Sequence, residues 1–249
     1  MRKWPMRTIG AFLCAVAAWR SFPASAANWD PAKVSSNFEL VSLDDAELTA
    51  RSIKVYHMGN LELTSGHIVA ADPLVEPDRP PLVRTVQPGD YAVTLYEASG
   101  RIAGASLRFA DGKPVRWELA TIAGQDVQTL KNDEFFGYAV DAGLGCYMDA
   151  DTYKLMQVRE ERVQAEEDST DVNYYDDVVA PEIAVNDDKY VMHRPVHDKR
   201  GNVAIFWSGW GDGVYPVFWG LDANDRPLVL FTDFQVIENA DGRQKPGAN

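Results

Sequence analysis

The chain has 249 residues, with 24 Lys and Arg against 37 Asp and Glu and a formal net charge of −13 at pH 7. Nucleic-acid binding needs clustered basic side chains, and because the sequence has no basic stripe we expect no nucleic-acid partner. The length suits a single β-rich domain with a hydrophobic core of its own.

Residues 1–26 are predicted to be a signal peptide. Arg2, Lys3 and Arg7 make the start basic, and the apolar run 9–19 is followed by a small-residue Ala-Ser-Ala cleavage pattern. The run is shorter than the ~20 apolar residues that span a bilayer, so we expect no membrane span after leader removal. An uncleaved anchor is the alternative. The favoured interpretation is a periplasmic or secreted protein.

Cleavage of this leader makes the chain more acidic. It removes four basic residues and no acidic one, which leaves 24 − 4 = 20 against 37 and a net charge near −17. Such a charge suits a basic protein partner, divalent cations or solubility alone. Of the two cysteines only Cys146 remains, so no internal disulfide is expected.

The first strands are predicted from alternating apolar and polar residues. Segments 53–57 and 61–64 alternate in this way, and Met-Gly-Asn at 58–60 lies between them, which is typical of a hairpin. The apolar segment 67–71 predicts a further strand, which ends where a proline follows Asp72.

The middle of the chain is predicted to be a meander. Segments 83–86, 91–96, 102–110 and 114–122 read as strands separated by short turns. The Asp-Gly pair at 111–112 is a strong two-residue turn signal between the last two of them. Connections this short predict an antiparallel sheet.

One convincing helix follows a buried strand. Residues 135–140 are apolar throughout and predict the strand, and residues 152–167 predict the helix, apolar near its start and charged in its far half. The acidic segment 168–188 is poorly patterned. We expect it to be a long surface loop with a short extended piece at 178–179.

The last part of the chain is aromatic and rich in glycine. Segments 203–207 and 214–219 read as strands joined by a glycine-rich turn. A hairpin-type turn over 221–227 leads to a final strand, 228–237. Alternate glycines at 209, 211 and 213 allow left-handed backbone or a close approach to another group.

These elements predict an α+β, β-rich fold, a mostly antiparallel sheet or sandwich with one peripheral helix. The domain boundaries that follow are a signal peptide over 1–26, an N-terminal extension with the first strands over 27–60, a single β-rich domain over 61–237 and a polar tail over 238–249.

Aspartates at glycine corners are the main candidates for chemistry. The two corners are 140–146 and 208–220, and we expect them at the same end of the sheet. Clustered carboxylates suit a hard cation or general acid–base catalysis, whereas a lone aspartate beside glycine more often caps a turn. The candidate site comprises four aspartates and two aromatic residues, Asp141, Asp149, Asp212, Asp233, Tyr215 and Trp210.

No established motif supports a tighter assignment. Pro195 rules out a regular zinc-binding helix carrying His193 and His197. Ser208 lacks the strand-to-helix context of a hydrolase nucleophile, and a lone Cys146 is more often a packing residue. We therefore expect no metal and no cofactor.

The order of several motifs is nevertheless specific. Gly-Asp-Gly-x-Tyr-Pro over 211–216 and Val-Asp-Ala-Gly over 140–143 are the distinctive ones, and Thr-Asp-Phe over 232–234 is weaker. In this order they resemble the bacterial domain-of-unknown-function family 4241, over roughly residues 61–237. The resemblance implies that the four candidate aspartates belong to one shared pattern, and it supplies no activity.

Three functional hypotheses follow. The first is an exported binding or interaction module whose acidic surface engages a basic protein, as an immunity or inhibitor-type protein would. The alternative is a hydrolase that uses the aspartate cluster with or without a divalent metal. The third is an envelope-associated structural module. The sequence leaves open whether the protein is an enzyme.

Overall fold

The computed structural model describes residues 29–167 and 173–237. This part of the chain forms two antiparallel sheets with few helices, which confirms the predicted β-rich α+β class. The predicted signal peptide, 1–26, and the polar tail, 238–249, lie outside the described residues.

The strands and helices are given in chain order. The strands are β1 Lys54–Leu63, β2 Ile68–Ala71, β3 Gly89–Ala98, β4 Arg101–Arg108, β5 Arg116–Leu119, β6 Gly137–Val140, β7 Leu144–Asp149, β8 Tyr190–His193, β9 Val203–Trp207, β10 Gly213–Leu221 and β11 Pro227–Asp233. The helices are α1 Asp45–Ala50, α2 Thr152–Glu167 and α3 Ala180–Ile183. A π-helical turn, Tyr175–Val179, precedes α3, and 3₁₀ turns lie at Pro31–Lys33, Asn37–Ser42, Val127–Thr129 and Ala184–Asn186.

The first sheet has the order β1-β3-β4-β11-β10-β5, and β6 also pairs with β10. β5 and β6 occupy successive parts of one β10 edge, since β5 pairs with residues 218–221 and β6 with residues 213–216. The second sheet has the order β2-β7-β9-β8. Strands 203–207 and 214–219 were both predicted, but they belong to different sheets, so the glycine-rich turn between them connects the two layers.

The two sheets enclose the main core. In β2, Ile68 and Ala70 face this core, whereas Val69 and Ala71 face the opposite side of the second sheet. This alternation follows from the two-residue period of a strand. The opposite side is covered by α2 and by the π-helical turn with α3, which makes a third layer.

The acidic segment 168–188 is not a loop where the structure describes it. Residues 175–186 are helical, which makes the prediction of a loop with an extended piece at 178–179 wrong. Val179 and Ile183 are one helical turn apart and both enter the outer core beside Met156 of α2. The three buried residues of the described segment, Val178, Val179 and Ile183, were too few to show a helical period in the sequence, although their burial stabilises the segment.

The predicted hairpin over 53–64 is also wrong, because these residues form the single strand β1. The register against β3 shifts between His57 and Gly59, and Gly59 has a φ of 102°. The glycine therefore makes a β-bulge rather than a turn. β1 crosses the predicted boundary at residue 60.

The meander prediction fails at its first strand and at its last pair. Residues 83–86 form no strand, and only an isolated bridge joins Leu82 to Ile122. β4 pairs with β3 through the tight turn at Ser99–Gly100, but its other neighbour is β11 from the end of the chain, and β5 pairs with β10 instead. The Asp-Gly signal at 111–112 shows that the chain turns there without showing which strand lies alongside.

A partly buried ion pair between Glu62 of the bulged strand β1 and Arg194 predicts acid sensitivity. Arg194 donates to the Glu62 carboxylate at 2.7 Å and the Gly201 N–H donates at 2.8 Å, and these bonds, with that of Arg194 the largest cause, lower the pKa of Glu62 to about 2. A lowered pKa stabilises the fold above the unfolded pKa of ~4.3, and this stability is lost as the pH falls towards about 2.

We expect Glu62→Gln to lower the free energy of unfolding by ~1–2 kcal/mol at pH 7, and the difference from wild type to shrink towards zero near pH 2. Urea unfolding at pH 7, 4 and 2.5 measures this. Glu161→Gln, on the exposed side of α2, is the control. A Glu62→Gln difference that stayed constant across this range would contradict the assignment.

Candidate functional site

The two glycine corners lie side by side at one end of the sandwich. β6 and β10 pair in the register that places Gly213 opposite Val140, so Asp212 and Asp141 leave the ends of neighbouring strands. The Ser208 N–H donates to the Gly143 carbonyl at 3.1 Å and links the corners directly. Our expectation that they share one end of the fold is confirmed.

Phe234, which follows Asp233, packs between the corners. Its ring centroid lies 5.0 Å from that of Tyr215 and 6.0 Å from that of Phe206. A Cβ atom on Gly209, which has a φ of 58°, would lie 2.7 Å from the Cβ of Phe234. Glycine at this position lets the turn close over the aromatic ring.

Asp149 is a fully buried acceptor at the opposite end of β7. The Ser65 N–H donates to it at 2.8 Å and the Gly66 N–H at 3.2 Å. The Ser65 and Thr64 hydroxyls and the Asp151 N–H also donate. These donors occupy the carboxylate and fasten the turn after β1 to β7.

Asp233 is likewise buried and hydrogen-bonded. The Asn37 amide lies 3.1 and 3.2 Å from its two oxygens, and the Gln235 N–H donates at 2.7 Å. An acid inside an apolar strand is tolerated when such donors surround it. Asp233 thereby ties the N-terminal turns to β11.

A third buried aspartate, Asp72, was missed as a site residue. The Leu74 N–H donates to one of its oxygens at 3.0 Å, and the N–H groups of Asp141 and Ala142 donate to the other at 3.1 and 2.8 Å. Asp72 therefore fixes the backbone of the first glycine corner, 140–146, to the end of β2. The sequence feature that could have identified it is the position of an aspartate directly after the apolar strand β2.

Asp141 and Asp212 differ from this buried set because both are exposed. The candidate aspartates are thus divided between two buried acceptors, Asp149 and Asp233, and two exposed carboxylates. Within residues 29–167 and 173–237, no three His, Cys, Asp or Glu side chains are placed to hold a metal ion.

The two candidate aromatic residues also differ in exposure. Tyr215 is buried and donates to the Gly211 carbonyl at 2.8 Å, and burial raises the pKa of Tyr215 to about 12. Trp210 is 60% exposed, with the Arg101 guanidinium 4.4 Å from its ring centroid. Tyr215 therefore closes the corner from inside, and Trp210 presents an indole outside it.

Exposed apolar side chains concentrate at the end of the second sheet that carries these corners. The C-terminal ends of β2 and β9 and the N-terminal ends of β7 and β8 meet there. Five of the eight large apolar side chains exposed on the described residues lie on the connections at this end or on the strand residues next to them, namely Val75, Val185, Trp207, Trp210 and Val214. We call these five, together with the exposed carboxylates Asp141, Asp187, Asp188 and Asp212, the sheet-end surface.

The carboxylates of the sheet-end surface have no cationic partner among the residues that the structure describes. Asp187 and Asp188 have φ values of 54° and 58° in a tight turn closed by the Lys189 N–H and the Asn186 carbonyl at 3.0 Å. The Lys189 ammonium pairs with Glu97 instead. In the part of the chain that the structure describes, no cation pairs with any of the four carboxylates of this surface.

Two other reactive side chains are fixed within the fold. His193 is buried, with Nδ1 at 2.7 Å from the Glu182 carboxylate and Nε2 at 2.8 Å from the Tyr174 hydroxyl, and it attaches the helical layer to β8. Cys146 is fully buried, and burial raises the pKa of its thiol, which makes it a packing residue.

Comparison with known proteins places the chain in a family without a described activity. None of the helices over residues 29–167 and 173–237 has the length and apolar character needed to cross a bilayer. No curated protein and no solved structure matches the sequence. Residues 61–232, which include both glycine corners, match a family described as protein of unknown function (DUF4241), and the chain belongs to this family.

Proposed function

We propose that this chain is an exported protein-interaction module that binds a basic protein through the sheet-end surface. The observation that carries the proposal is the concentration of exposed apolar side chains, two of them tryptophans, at one end of the fold. Tryptophan is enriched at the centres of protein interfaces, where it contributes much of the binding energy.

Charge complementarity identifies the chemistry of the partner. The surface also carries four exposed carboxylates, and none of them pairs with Arg79, Lys189 or Arg101, since Arg79 pairs with Glu76, Lys189 pairs with Glu97 and Arg101 stacks on Trp210. A partner that places Lys or Arg around an apolar contact would pair with these carboxylates and gain speed of association. An inhibitor or immunity-type role against a basic secreted protein is the most specific form of this proposal.

The hydrolase alternative draws no support from this arrangement. Asp149 and Asp233 are buried and accept hydrogen bonds from backbone N–H groups, which gives both carboxylates a structural role. Asp141 and Asp212 are exposed, one at each glycine corner. A binding role requires only that these two carboxylates be exposed.

Site-specific photo-crosslinking tests the proposal in the organism that carries the gene. A photoreactive phenylalanine analogue replaces Val214, which is 51% exposed on the sheet-end surface, or Val83, which is 62% exposed elsewhere. We expect an adduct with a basic protein from position 214 and none from position 83. The Asp141→Asn/Asp212→Asn double variant should reduce the yield, as should added salt.

The same cells test export. The N-terminal residue of the protein in the extracytoplasmic fraction should be Ala27. Equal adducts from both positions, an adduct with an acidic protein, or a protein that keeps residues 1–26 inside the cell would each overturn the proposed function.

A further inference from the structure

Trp210 is exposed and yet held from several sides. The Arg101 guanidinium covers one face of its indole at 4.4 Å, and the indole N–H donates to the Gln235 carbonyl at 3.4 Å. Its neighbour Gly209 packs against Phe234, as described above. A large side chain in such a setting loses little further freedom when a partner covers it.

Arg101 is the arginine that stacks on an aromatic ring in the part of the chain that the structure describes. Seven of the eleven arginines among the described residues pair with carboxylates, as Arg194 does with Glu62, whereas Arg108 resembles Arg101 in donating to backbone carbonyls. Arg101 donates to the Gly209 carbonyl at 3.1 Å and stacks on Trp210, and no carboxylate of the described residues pairs with it. Both of its contacts are to consecutive residues of one corner.

This choice of contacts has two consequences for the sheet-end surface. The guanidinium fixes the corner backbone and the indole together, because one planar group serves both. Arg101 does not pair with Asp141 or Asp212, and no other cation among residues 29–167 and 173–237 does. The carboxylates thus remain available to a partner while the indole is already oriented.

We infer that Arg101 is a positioning residue that holds Trp210 as the preorganised anchor of the sheet-end surface. The inference rests on the proposed function and identifies the residue that sets the affinity of that surface without contributing its main contact. The other face of the indole and the flanking carboxylates are left to an apolar and cationic segment of the partner.

Relaxation of the indole N–H signals tests the positioning in the isolated, mature protein. The Trp210 signal is assigned as the one that Trp210→Phe removes. We expect an order parameter of ~0.85 in the wild type and below ~0.6 in Arg101→Gln, with an intermediate value in Arg101→Lys. Arg226→Gln, which removes an exposed ion pair in the turn between β10 and β11, should leave the signal unchanged.

Crosslinking from position 214 then tests the role in binding. Arg101→Gln should lower the adduct yield about fivefold or more, and Arg101→Lys should restore part of it, because the lysine retains a cation–π contact. A rigid Trp210 in Arg101→Gln, or a mobile Trp210 with an undiminished yield, would overturn the inference. If the wild type gives no adduct while Arg101 still controls the order parameter, the proposed function fails and the positioning stands.

Discussion

Replacing Asp149 by alanine is expected to lower the free energy of unfolding by about 3–5 kcal/mol. The substitution removes the acceptor of three backbone N–H groups, those of Ser65, Gly66 and Asp151, and of the Ser65 and Thr64 hydroxyls. Because the side chain is fully buried, water does not replace it at these donors.

Two further variants separate this effect from a general loss of charge. Asp149→Asn keeps the shape but turns an amide N–H₂ towards existing donors, and we expect it to cost about 2 kcal/mol. Asp151→Ala removes a neighbouring carboxylate whose partner is the exposed Lys154, and it should cost less than about 0.5 kcal/mol. Urea unfolding measures all three. Equal costs for Asp149→Ala and Asp151→Ala would refute a structural role for the Asp149 hydrogen bonds.

Replacing Gly145 by alanine is expected to destabilise the junction of the two corners by about 3 kcal/mol. The added Cβ atom would lie 2.5 Å from the Tyr138 hydroxyl, 3.0 Å from the Phe206 ring and 3.3 Å from the Phe234 ring. All three side chains are buried, so none of them can swing into solvent to make room.

Gly143→Ala is the matched control for this substitution. Gly143 has a φ of 71°, but a Cβ atom there meets nothing within 4 Å, so alanine should cost only about 1 kcal/mol of backbone strain. The double variant Gly145→Ala/Tyr138→Phe removes the closest contact and should recover part of the loss in thermal unfolding. A Gly145→Ala variant as stable as Gly143→Ala would show that the corners are loosely packed.

These two predictions concern buried residues that stabilise the fold, whereas the residues proposed to bind a partner are exposed on its surface. Asp149 and Gly145 act on folding stability, and Trp210, Asp141 and Asp212 are exposed. Substitutions at Asp141 and Asp212 should change stability by less than about 0.5 kcal/mol. Stability measurements therefore distinguish the structural aspartates from those available to a partner.

The helix over 152–167 shows what local patterns determine. Its limits were predicted as the structure has them, because its charged far half and apolar start lie within one continuous segment. Local patterns also predict the β-rich class, the strands at 203–207 and 214–219, and the turn at Ser99–Gly100. Each depends on interactions between residues close in the chain.

The pairing partners of the strands could not be predicted from local sequence patterns. The turn at 111–112 favours a hairpin, but the chain end supplies β11 as the neighbour of β4, where Phe231 and Leu230 are fully buried. Alternation shows which face of a strand is apolar and leaves its partner undetermined. Burial of non-local apolar surface decided that pairing, and also folded the acidic segment 175–186 as helix.

The same distinction applies to the aspartates. Their position at glycine corners and strand ends was visible in the sequence, and so was the likelihood that the corners meet. Whether a carboxylate is buried against N–H donors, as Asp72, Asp149 and Asp233 are, or exposed, as Asp141 and Asp212 are, depends on chain segments distant in sequence. Only the tertiary structure brings those donors together, because hydrogen-bond partners such as Asn37 and Asp233 are separated by 196 residues.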